Sequence, residues 1–331
     1  MLRRGYLVFA ILLVSCSRLG SQQSLAWRDP SPHRALFVAV DKDVRLEVLD
    51  WGGSGRPVIL LAGGGDTAHV FDEFAPKLLN ECHVYGITRR GFGASGFSAA
   101  NSGADRLGDD VLAVMDALDL KRPVLVGHSI AGEEMSSVGT RHPERVAGLV
   151  YLEAGYPYAF DNGQGPTFKE FQDLSGPQPP PPGKSNLSSF SALQKYYMHV
   201  SGFTYPEGEL RQEWTATPEG GVGKQREFPG GPLLLIGMKK YTAISVPALV
   251  IFASPHGLGR WVENNPDPKV RAAAKAYSAA LDVLTERQAE ALEKGVPTAR
   301  VARLPGAHHY VYLSNEADVL REMRAFLAGL D

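Results

Sequence analysis

Ser129 lies in the segment of this chain whose residue types point most directly to chemistry. An apolar run, 124–126, is followed by Gly127, His128 and Ser129, and then by small residues where a helix would begin. A serine on such a tight strand-to-helix turn projects its hydroxyl above the sheet edge, and only small neighbours fit around the bent backbone. The pattern predicts a nucleophilic serine. The alternative is a helix N-cap with glycines for close packing.

Two adjacent histidines offer a base for such a serine. His308 and His309 follow the last apolar run of the chain, in the segment Leu-Pro-Gly-Ala-His-His-Tyr at 304–310. A histidine can accept the serine proton and return it to a leaving group. Neighbouring side chains of an extended loop point to opposite sides, so only one of the two can face the serine.

Composition limits the classes of partner. The 331 residues carry 34 basic and 36 acidic side chains, a net charge of -2, with no long run of one sign. Nothing in this balance indicates binding to nucleic acid, and a small neutral molecule is the expected partner. The 44% apolar content suffices for one large core, or for one core and a lid-like insertion.

The cysteines and the first residues indicate export. Arg3 and Arg4 precede the apolar run 7–14, which is too short to span a bilayer and has the order of a secretory signal. The segment 13–16 resembles a lipoprotein signal, which predicts lipidation of Cys16. Cleavage near Leu25–Ala26 and an uncleaved anchor are alternatives. Residues 1–26 are therefore predicted to be a signal, and the protein to be periplasmic or extracellular, with or without a lipid tether to a membrane.

Two cysteines are too few for a disulfide framework. Once Cys16 is lipidated or removed, Cys82 has no partner, and we expect it to be a small core residue. No cluster of cysteine and histidine has zinc-binding spacing, so no metal is predicted.

The body of the chain alternates apolar runs with helical patterns, which predicts a doubly wound, mainly parallel α/β sheet. Eight strands are predicted at 35–40, 44–49, 57–61, 83–87, 124–126, 146–152, 247–252 and 299–304. Five helices are predicted at 70–79, 105–118, 130–142, 269–294 and 316–330.

The alternating pattern is interrupted at 156–242. This segment contains the Pro-rich stretch 176–183 and is predicted to be a cap inserted between the two core parts, 35–155 and 243–331. A cap above Ser129 would close a pocket. Six of its aromatic side chains are candidates for the pocket wall, although most are expected to form the cap's own core: Phe168, Phe171, Tyr196, Tyr197, Phe203 and Trp214.

Together these features resemble the α/β-hydrolase superfamily over residues 35–330. The Gly-rich segment 60–66 follows the third strand, where that family completes its oxyanion hole, although Ala62 stands in place of the usual histidine. The resemblance implies backbone N–H donors at Gly64 and Ile130. The segment 89–95 looks like a structural marker of the family, with Thr88 in place of its aspartate.

The resemblance also assigns the remaining catalytic roles. Spacing from the Pro-Gly pair matches His309, with His308 as the alternative. The loop after the seventh strand, where the family usually has its acid, contains no carboxylate at 252–260. Some α/β-hydrolases, haloalkane dehalogenases among them, take their acid from the end of the sixth strand. The resemblance to them implies Glu153. Glu263 and Asp267 are the alternatives, and Glu153 could instead be a strand-end cap.

A serine at this position suits acyl transfer, whereas the dehalogenases use an aspartate. The expected reaction is cleavage of a small ester or amide through an acyl-enzyme, with no cofactor. Several other functions stay open because a fold does not fix a substrate. One is a ligand-binding protein without turnover. Another is an aminopeptidase similar to proline iminopeptidases, for which Glu133 and Glu134 lie just past the turn but on the predicted helix, facing away. A lyase or a cofactor-free oxygenase could also use this scaffold with altered Ser-His chemistry.

Overall fold

The structure is a computed structural model that describes residues 27–98, 103–231, 234 and 238–330. The described residues from Ser31 onward form one compact unit. The predicted signal segment 1–26 and Cys16 lie outside the described residues. Within the described part of the chain, no helix combines the length and the apolar character needed to cross a membrane.

The described residues form ten strands. They are β1 (Arg34–Asp41), β2 (Val44–Gly53), β3 (Arg56–Leu61), β4 (Cys82–Ile87), β5 (Val124–His128), β6 (Gly148–Leu152), β7 (Trp214–Ala216), β8 (Val222–Gln225), β9 (Ala248–Ala253) and β10 (Ala299–Leu304).

Eight of these strands form one sheet, in the order β1-β2-β4-β3-β5-β6-β9-β10. β2 runs antiparallel to both of its neighbours and the other pairs are parallel. This confirms the α/β prediction.

Nine α-helices are present among the described residues, and four of the five predicted helices coincide with one of them. They are α1 (Ala104–Ala117), α2 (Ala131–Arg141), α3 (Phe168–Gln172), α4 (Phe190–Ser201), α5 (Glu207–Glu213), α6 (Arg260–Glu263), α7 (Pro268–Gly295), α8 (Val311–Ser314) and α9 (Glu316–Ala328).

The helix predicted at 70–79 is wrong. Two separate 3-10 turns, Ala68–Phe71 and Ala75–Leu78, occupy this stretch. Pro76 lies at the start of the second turn. Because proline has no N–H and its ring clashes with the carbonyl four residues earlier, it disfavours a continuous α-helix through this position.

Apolar side chains from both faces of the sheet form two cores. In β5, Leu125 belongs to the core shared with α1, α2 and α7, whereas Val126 belongs to the core shared with α8 and α9. Alternate strand residues face opposite sides, so a continuous apolar strand is covered on both faces. Cys82 is buried as expected, is a free thiol, and has its pKa raised to about 11 by burial.

The segment between β6 and β9 contains α3, α4, α5 and the antiparallel β7–β8 hairpin. The Pro-rich stretch 176–183 has no regular secondary structure, as predicted. A small separate core forms around Phe190, Leu193 and Leu210, with Tyr196, Tyr197 and Trp214 packed against it. These last three aromatic residues are therefore part of the segment's own core.

Candidate active site

Ser129 occupies the turn between β5 and α2 with left-handed backbone geometry, at a φ of 51°. Such a conformation is unfavourable for a residue with a Cβ and is found mainly where surrounding structure enforces it. The N-cap of α2 is Ile130, so Ser129 does not have the alternative N-cap role. A Cβ at Gly132 would lie 2.0 Å from the Ala154 carbonyl oxygen, which explains why glycine is needed at this later position.

Glu153 follows β6 and is fully buried, also with a positive φ of 50°. Its Oε1 accepts the Ala253 N–H over 2.6 Å, and its Oε2 accepts the Tyr156 hydroxyl over 2.8 Å. His309 Nδ1 lies 3.1 Å from the same Oε2. Burial raises the pKa of Glu153, but interactions with His256 and then His309 outweigh it and lower this pKa to about 2. Glu153 is thus an ionised acceptor for the His309 ring.

His309 is also held through its backbone. His128 Nε2 lies 3.0 Å from the His309 carbonyl oxygen. A carbonyl only accepts, so His128 carries its proton on Nε2. Burial, followed by the nearby His309, holds the pKa of His128 well below its usual value, which keeps its ring neutral. The middle residue of the Gly-His-Ser turn therefore positions the loop that presents His309.

Ser129 and His309 line one cavity, which brings the predicted nucleophile and base to the same space. The Ser129 hydroxyl interacts with the Tyr158 phenol, which also lines this cavity. Within the described residues no hydrogen bond joins Ser129 to His309. Catalytic hydrogen bonds are often long or poorly aligned in free active sites and shorten when substrate binds.

The alternatives to His309 and Glu153 have other partners, although His308 lines the same cavity as Ser129 and His309. His308 packs edge-on against Phe203 at a centroid distance of 5.0 Å and accepts the Tyr310 N–H through Nδ1. Burial lowers the pKa of His308 to about 4, with a smaller contribution from His309. Glu263 lies in α6, and Asp267 accepts the Lys269 N–H as the N-cap of α7. Neither carboxylate lines the cavity described here.

The Gly-rich loop is fixed by Arg89. Its guanidinium donates to the Ala62 and Gly63 carbonyl oxygens at 2.8 and 3.2 Å and pairs with Glu134 at 2.7 Å. The Gly63 carbonyl and the Gly64 N–H belong to one trans peptide and point in opposite directions. Arg89 therefore aims the Gly64 N–H away from itself.

The two predicted oxyanion donors are neighbours. A Cβ at Gly64 would lie 3.6 Å from Ile130 Cγ2. The Ile130 N–H has no acceptor among the described residues, and it lies at the N-terminus of α2, where the helix dipole favours negative charge. These features suit a developing oxyanion.

Thr88 replaces the family's aspartate without leaving a gap in the hydrogen bonds. Its hydroxyl donates to Glu47 Oε2 over 2.8 Å and accepts the Ala68 N–H over 3.1 Å. Nearby, Arg90 forms a bidentate pair with Asp110, both contacts at 2.6 Å. The segment is thus held by a buried hydrogen-bond network.

The cavity above Ser129 has a volume of about 520 Å³ and mainly apolar walls. Among the predicted aromatic residues, Phe168 and Phe171 line it, whereas Phe203 packs on His308. Further wall residues come from α6, α7 and the loop before them: Leu258, Val262, Tyr277 and Leu281. Within the described residues, Glu153 is the carboxylate that reaches this cavity.

Two residues of the site were not predicted from the sequence. His256 follows β9 and lies with Nε2 3.6 Å from Glu153 Oε2 and with Nδ1 2.6 Å from Asp282 Oδ1. Burial lowers the pKa of His256, but Glu153 and Asp282 together raise it above its ordinary value. His256 was visible in the sequence as the histidine of the loop where the family usually has its acid. Asp282, in the middle of α7, gave no signal.

A second group of carboxylates lies beside the Gly-rich loop. Asp66, Glu209 and Glu213 each have an oxygen within 4.8 Å of the others, an arrangement able to hold a hard cation. Burial raises the pKa of Asp66 to about 7. Burial and then Asp66 raise the pKa of Glu213 to about 8. Glu209 receives the Thr67 N–H and hydroxyl, yet burial raises its pKa as well.

Glu133 and Glu134 lie on α2 as predicted, but both are buried. Glu134 pairs with Arg89, whereas Glu133 Oε2 has no hydrogen-bond partner among the described residues. Burial and then Glu134 raise the pKa of Glu133 to about 8. Neither residue lines the cavity, so neither offers it a site for an amino group.

Comparisons with known proteins agree with this architecture. The model of the alpha/beta hydrolase family matches residues 58–322. The chain is 30% identical over 133 residues to 2-hydroxymuconate semialdehyde hydrolase from Pseudomonas sp. (strain CF600), covering 37% of this chain and 47% of that protein. It is 30% identical over 137 residues to epoxide hydrolase A from Mycobacterium tuberculosis, covering 40% and 42%. The chain thus spans less than half the length of these curated relatives.

Solved structures show the same fold. E-2-(acetamidomethylene)succinate hydrolase matches with a TM-score of 0.60 and 16% identity, over 90% of this chain and 100% of that one. Carboxylesterase CesB from Bacillus subtilis matches with a TM-score of 0.56 and 17% identity, over 91% and 93%. The family model covers most of the chain, and the two relatives and two solved structures described above are hydrolases. The chain therefore belongs to the alpha/beta hydrolase family.

Proposed function

We propose that this protein is a serine hydrolase that cleaves a small, uncharged carboxylic ester or amide through an acyl-enzyme. The observation that carries the proposal is the left-handed turn of Ser129, which faces the same cavity as a histidine bound to a buried, ionised Glu153. Acyl chemistry needs these three functions: a nucleophile, a base and an orienting acid.

In the proposed mechanism His309 takes the Ser129 proton on Nε2 while Glu153 holds Nδ1. The serine oxygen attacks the acyl carbon, and the Gly64 and Ile130 N–H groups bind the resulting oxyanion. His309 then protonates the leaving alcohol or amine. Water hydrolyses the acyl-enzyme with the same histidine as base, and each oxyanion donor contributes about 3 kcal/mol. Catalysis by this route uses the chain's own residues.

The cavity supports an uncharged, apolar acyl group. Its walls are mainly aromatic and aliphatic, and its ionised groups already pair with one another through Glu153 and His256. A charged substrate group would lose its hydration there without gaining a free counter-charge. We therefore also propose that the segment between β6 and β9, which contributes Phe168 and Phe171, acts as a cap that selects the acyl group.

A fluorophosphonate probe and a series of p-nitrophenyl esters test the proposal. We expect the probe to label Ser129 and the esters to be cleaved. Ser129→Ala should abolish labelling and lower ester cleavage by at least a thousandfold, because the nucleophile is lost. Ser191→Ala, an exposed serine on α4, is the matched control and should be labelled like the wild type.

Two outcomes would replace the proposal. Full-length, folded protein that binds an apolar ester but is neither labelled nor active would be a binding protein on the same fold. Faster cleavage of aminoacyl p-nitroanilides than of the esters would favour the aminopeptidase alternative.

A further inference from the structure

His256 and Asp282 form an ion pair next to Glu153. His256 Nδ1 lies 2.6 Å from Asp282 Oδ1, and the His256 N–H donates to the same oxygen over 2.9 Å. The other ring nitrogen, Nε2, lies 3.6 Å from Glu153 Oε2. One imidazole thus lies between two carboxylates, one from α7 and one from the end of β6.

This arrangement favours a protonated ring. An ionised carboxylate only accepts hydrogen bonds, so a ring between two of them is best matched when both nitrogens carry protons. The side chain of His256 is 8% exposed and that of Asp282 is 23% exposed, which limits screening of the pair by solvent. The charges of Asp282, His256 and Glu153 alternate in sign along the row.

We propose that His256, held by Asp282, is a positioning residue that keeps the carboxylate of Glu153 oriented toward His309. The inference rests on the proposed function, because Glu153 has this task only if His309 is the base. His256 itself neither receives the serine proton nor touches the reacting carbon.

The surroundings of Glu153 explain why such a residue is needed. The hydrogen bonds to this fully buried carboxylate come from neutral donors, namely the Ala253 N–H and the Tyr156 hydroxyl, besides His309. Neutral donors alone compensate poorly for burying a full charge. His256 supplies a positive charge close to Oε2, the oxygen that also accepts the Tyr156 hydroxyl and faces His309.

Asp282 completes the arrangement. When His309 becomes positive during acyl transfer, Glu153 lies next to two imidazolium rings, those of His309 and His256. An unbalanced charge on His256 would then oppose the protonation of His309. Asp282 offsets the charge of His256, so that Glu153 retains its effect on His309.

The charged and titratable groups that face His256 are few. Glu153 lies at the end of β6, Asp282 lies on α7, and His308 in the loop after β10 is affected by His256 through charge. The Ser278 hydroxyl donates to the His256 carbonyl oxygen over 3.3 Å and carries no charge.

Four variants of the full-length protein test the inference, together with two controls. The variants are His256→Ala, His256→Gln, Asp282→Asn and Glu153→Gln. The controls are His142→Gln, in a half-exposed histidine after α2, and Glu290→Gln, in an exposed carboxylate of α7 paired with Lys294. The rate of fluorophosphonate labelling is measured from pH 5 to 9, with kcat and KM for a p-nitrophenyl ester and the Tm of each variant.

We expect His256→Ala to lower the labelling rate and kcat by about tenfold to a hundredfold while KM changes less than twofold. The reason is that the substitution removes a charged contact of Glu153, the carboxylate that pairs with His309. His256→Gln should recover part of the loss, since its amide N–H reaches the position of Nε2. Asp282→Asn should lower the labelling rate slightly at low pH, where the charge of His256 is unbalanced. The loss should grow as pH rises, because His256 then gives up its proton at a lower pH than in the wild type.

Several outcomes separate the inference from the function on which it rests. Labelling of His256→Ala at the wild-type rate would overturn the inference while leaving the serine mechanism in place. Equal, pH-independent losses in all His256 and Asp282 variants, accompanied by lowered Tm, would show a structural role and would also overturn it. A wild type that is neither labelled nor active would overturn the proposed function and this inference with it.

Discussion

Glu153 and Asp66 are both buried carboxylates near His309, yet their pKa values change in opposite directions. The pKa of Glu153 is lowered to about 2, whereas that of Asp66 is raised to about 7. Burial raises both, since it disfavours the charged form. The difference must therefore come from what touches each carboxylate.

Glu153 accepts more hydrogen bonds than Asp66, and it also has a positively charged neighbour. Both Glu153 oxygens accept hydrogen bonds, and His256 adds a positive charge. Asp66 Oδ1 receives the Tyr310 hydroxyl over 3.3 Å, but its Oδ2 has no hydrogen-bond partner among the described residues. That oxygen faces His128 Nδ1 at 3.9 Å, a nitrogen that carries a lone pair and no proton.

This comparison shows how one site can separate two carboxylates by role. When the surroundings of two carboxylates shift their pKa values in opposite directions, the carboxylate with the lowered pKa is the charged partner. Glu153 stays ionised over the physiological range and can stabilise an imidazolium at His309. Asp66 is largely protonated below pH 7, so that it adds little charge to the same histidine.

The largest expected effect that tests this comparison is that of Glu153→Gln. The glutamine amide would face the His309 Nδ1–H with a donor and would favour the tautomer that cannot accept the Ser129 proton. We expect kcat to fall by about a thousandfold to ten-thousandfold, as for the loss of an orienting carboxylate in serine triads. The measurement is kcat for a p-nitrophenyl ester.

Glu263→Gln and Asp66→Asn are the matched controls for this prediction, and both should retain activity within about tenfold. A larger loss in Glu263→Gln than in Glu153→Gln would assign the acid to α6. A comparable loss in Asp66→Asn would mean that the two carboxylates do not differ in role.

A smaller effect is expected on stability when Asp66 becomes asparagine. The pKa of Asp66 is raised in the folded protein, so the unfolded chain releases this proton first as pH rises above about 4. Stability is then lost between pH 4 and about 7, and Asp66→Asn removes that loss. The new amide could also donate to the bare His128 Nδ1.

Thermal unfolding at pH 5 and pH 8.5 checks this prediction. Asp66→Asn should raise Tm at pH 8.5 by several degrees more than at pH 5, since 1 kcal/mol corresponds to roughly 2–4 °C in a domain of 150–250 residues, and somewhat less here. An equal loss of Tm at both values would show that Asp66 is an ionised, well-paired group, like Glu153.

Much of the fold and part of the site could be predicted from local sequence patterns. Buried parallel strands are nearly continuous apolar runs, so β5 and β10 could be located within two residues. Ser129, Glu153 and His309 each follow a strand, and the carboxyl ends of parallel strands meet at one edge of the sheet. Their placement therefore followed from strand order.

Contacts between distant elements could not be predicted in this way. Asp282 meets His256 across 26 residues, from a helix face that has no distinguishing pattern. Arg89 acts on backbone carbonyls, which are the same for every residue type. Glu209 and Glu213 come from the inserted segment, whose weak periodicity left the direction of its side chains undetermined.

The smallest effect is expected at Glu213, because this residue is partly exposed and solvent weakens its interactions. Glu213→Gln should also raise Tm at pH 8.5, but by less than Asp66→Asn. Asp66 contributes to the raised pKa of Glu213, so removing either charge relieves part of the strain on the other. The double variant should then gain less than the sum of the single gains. Strict additivity would mean that the two carboxylates titrate independently. Burial alone would then raise the pKa values of Asp66 and Glu213, in contrast to the lowered pKa of Glu153.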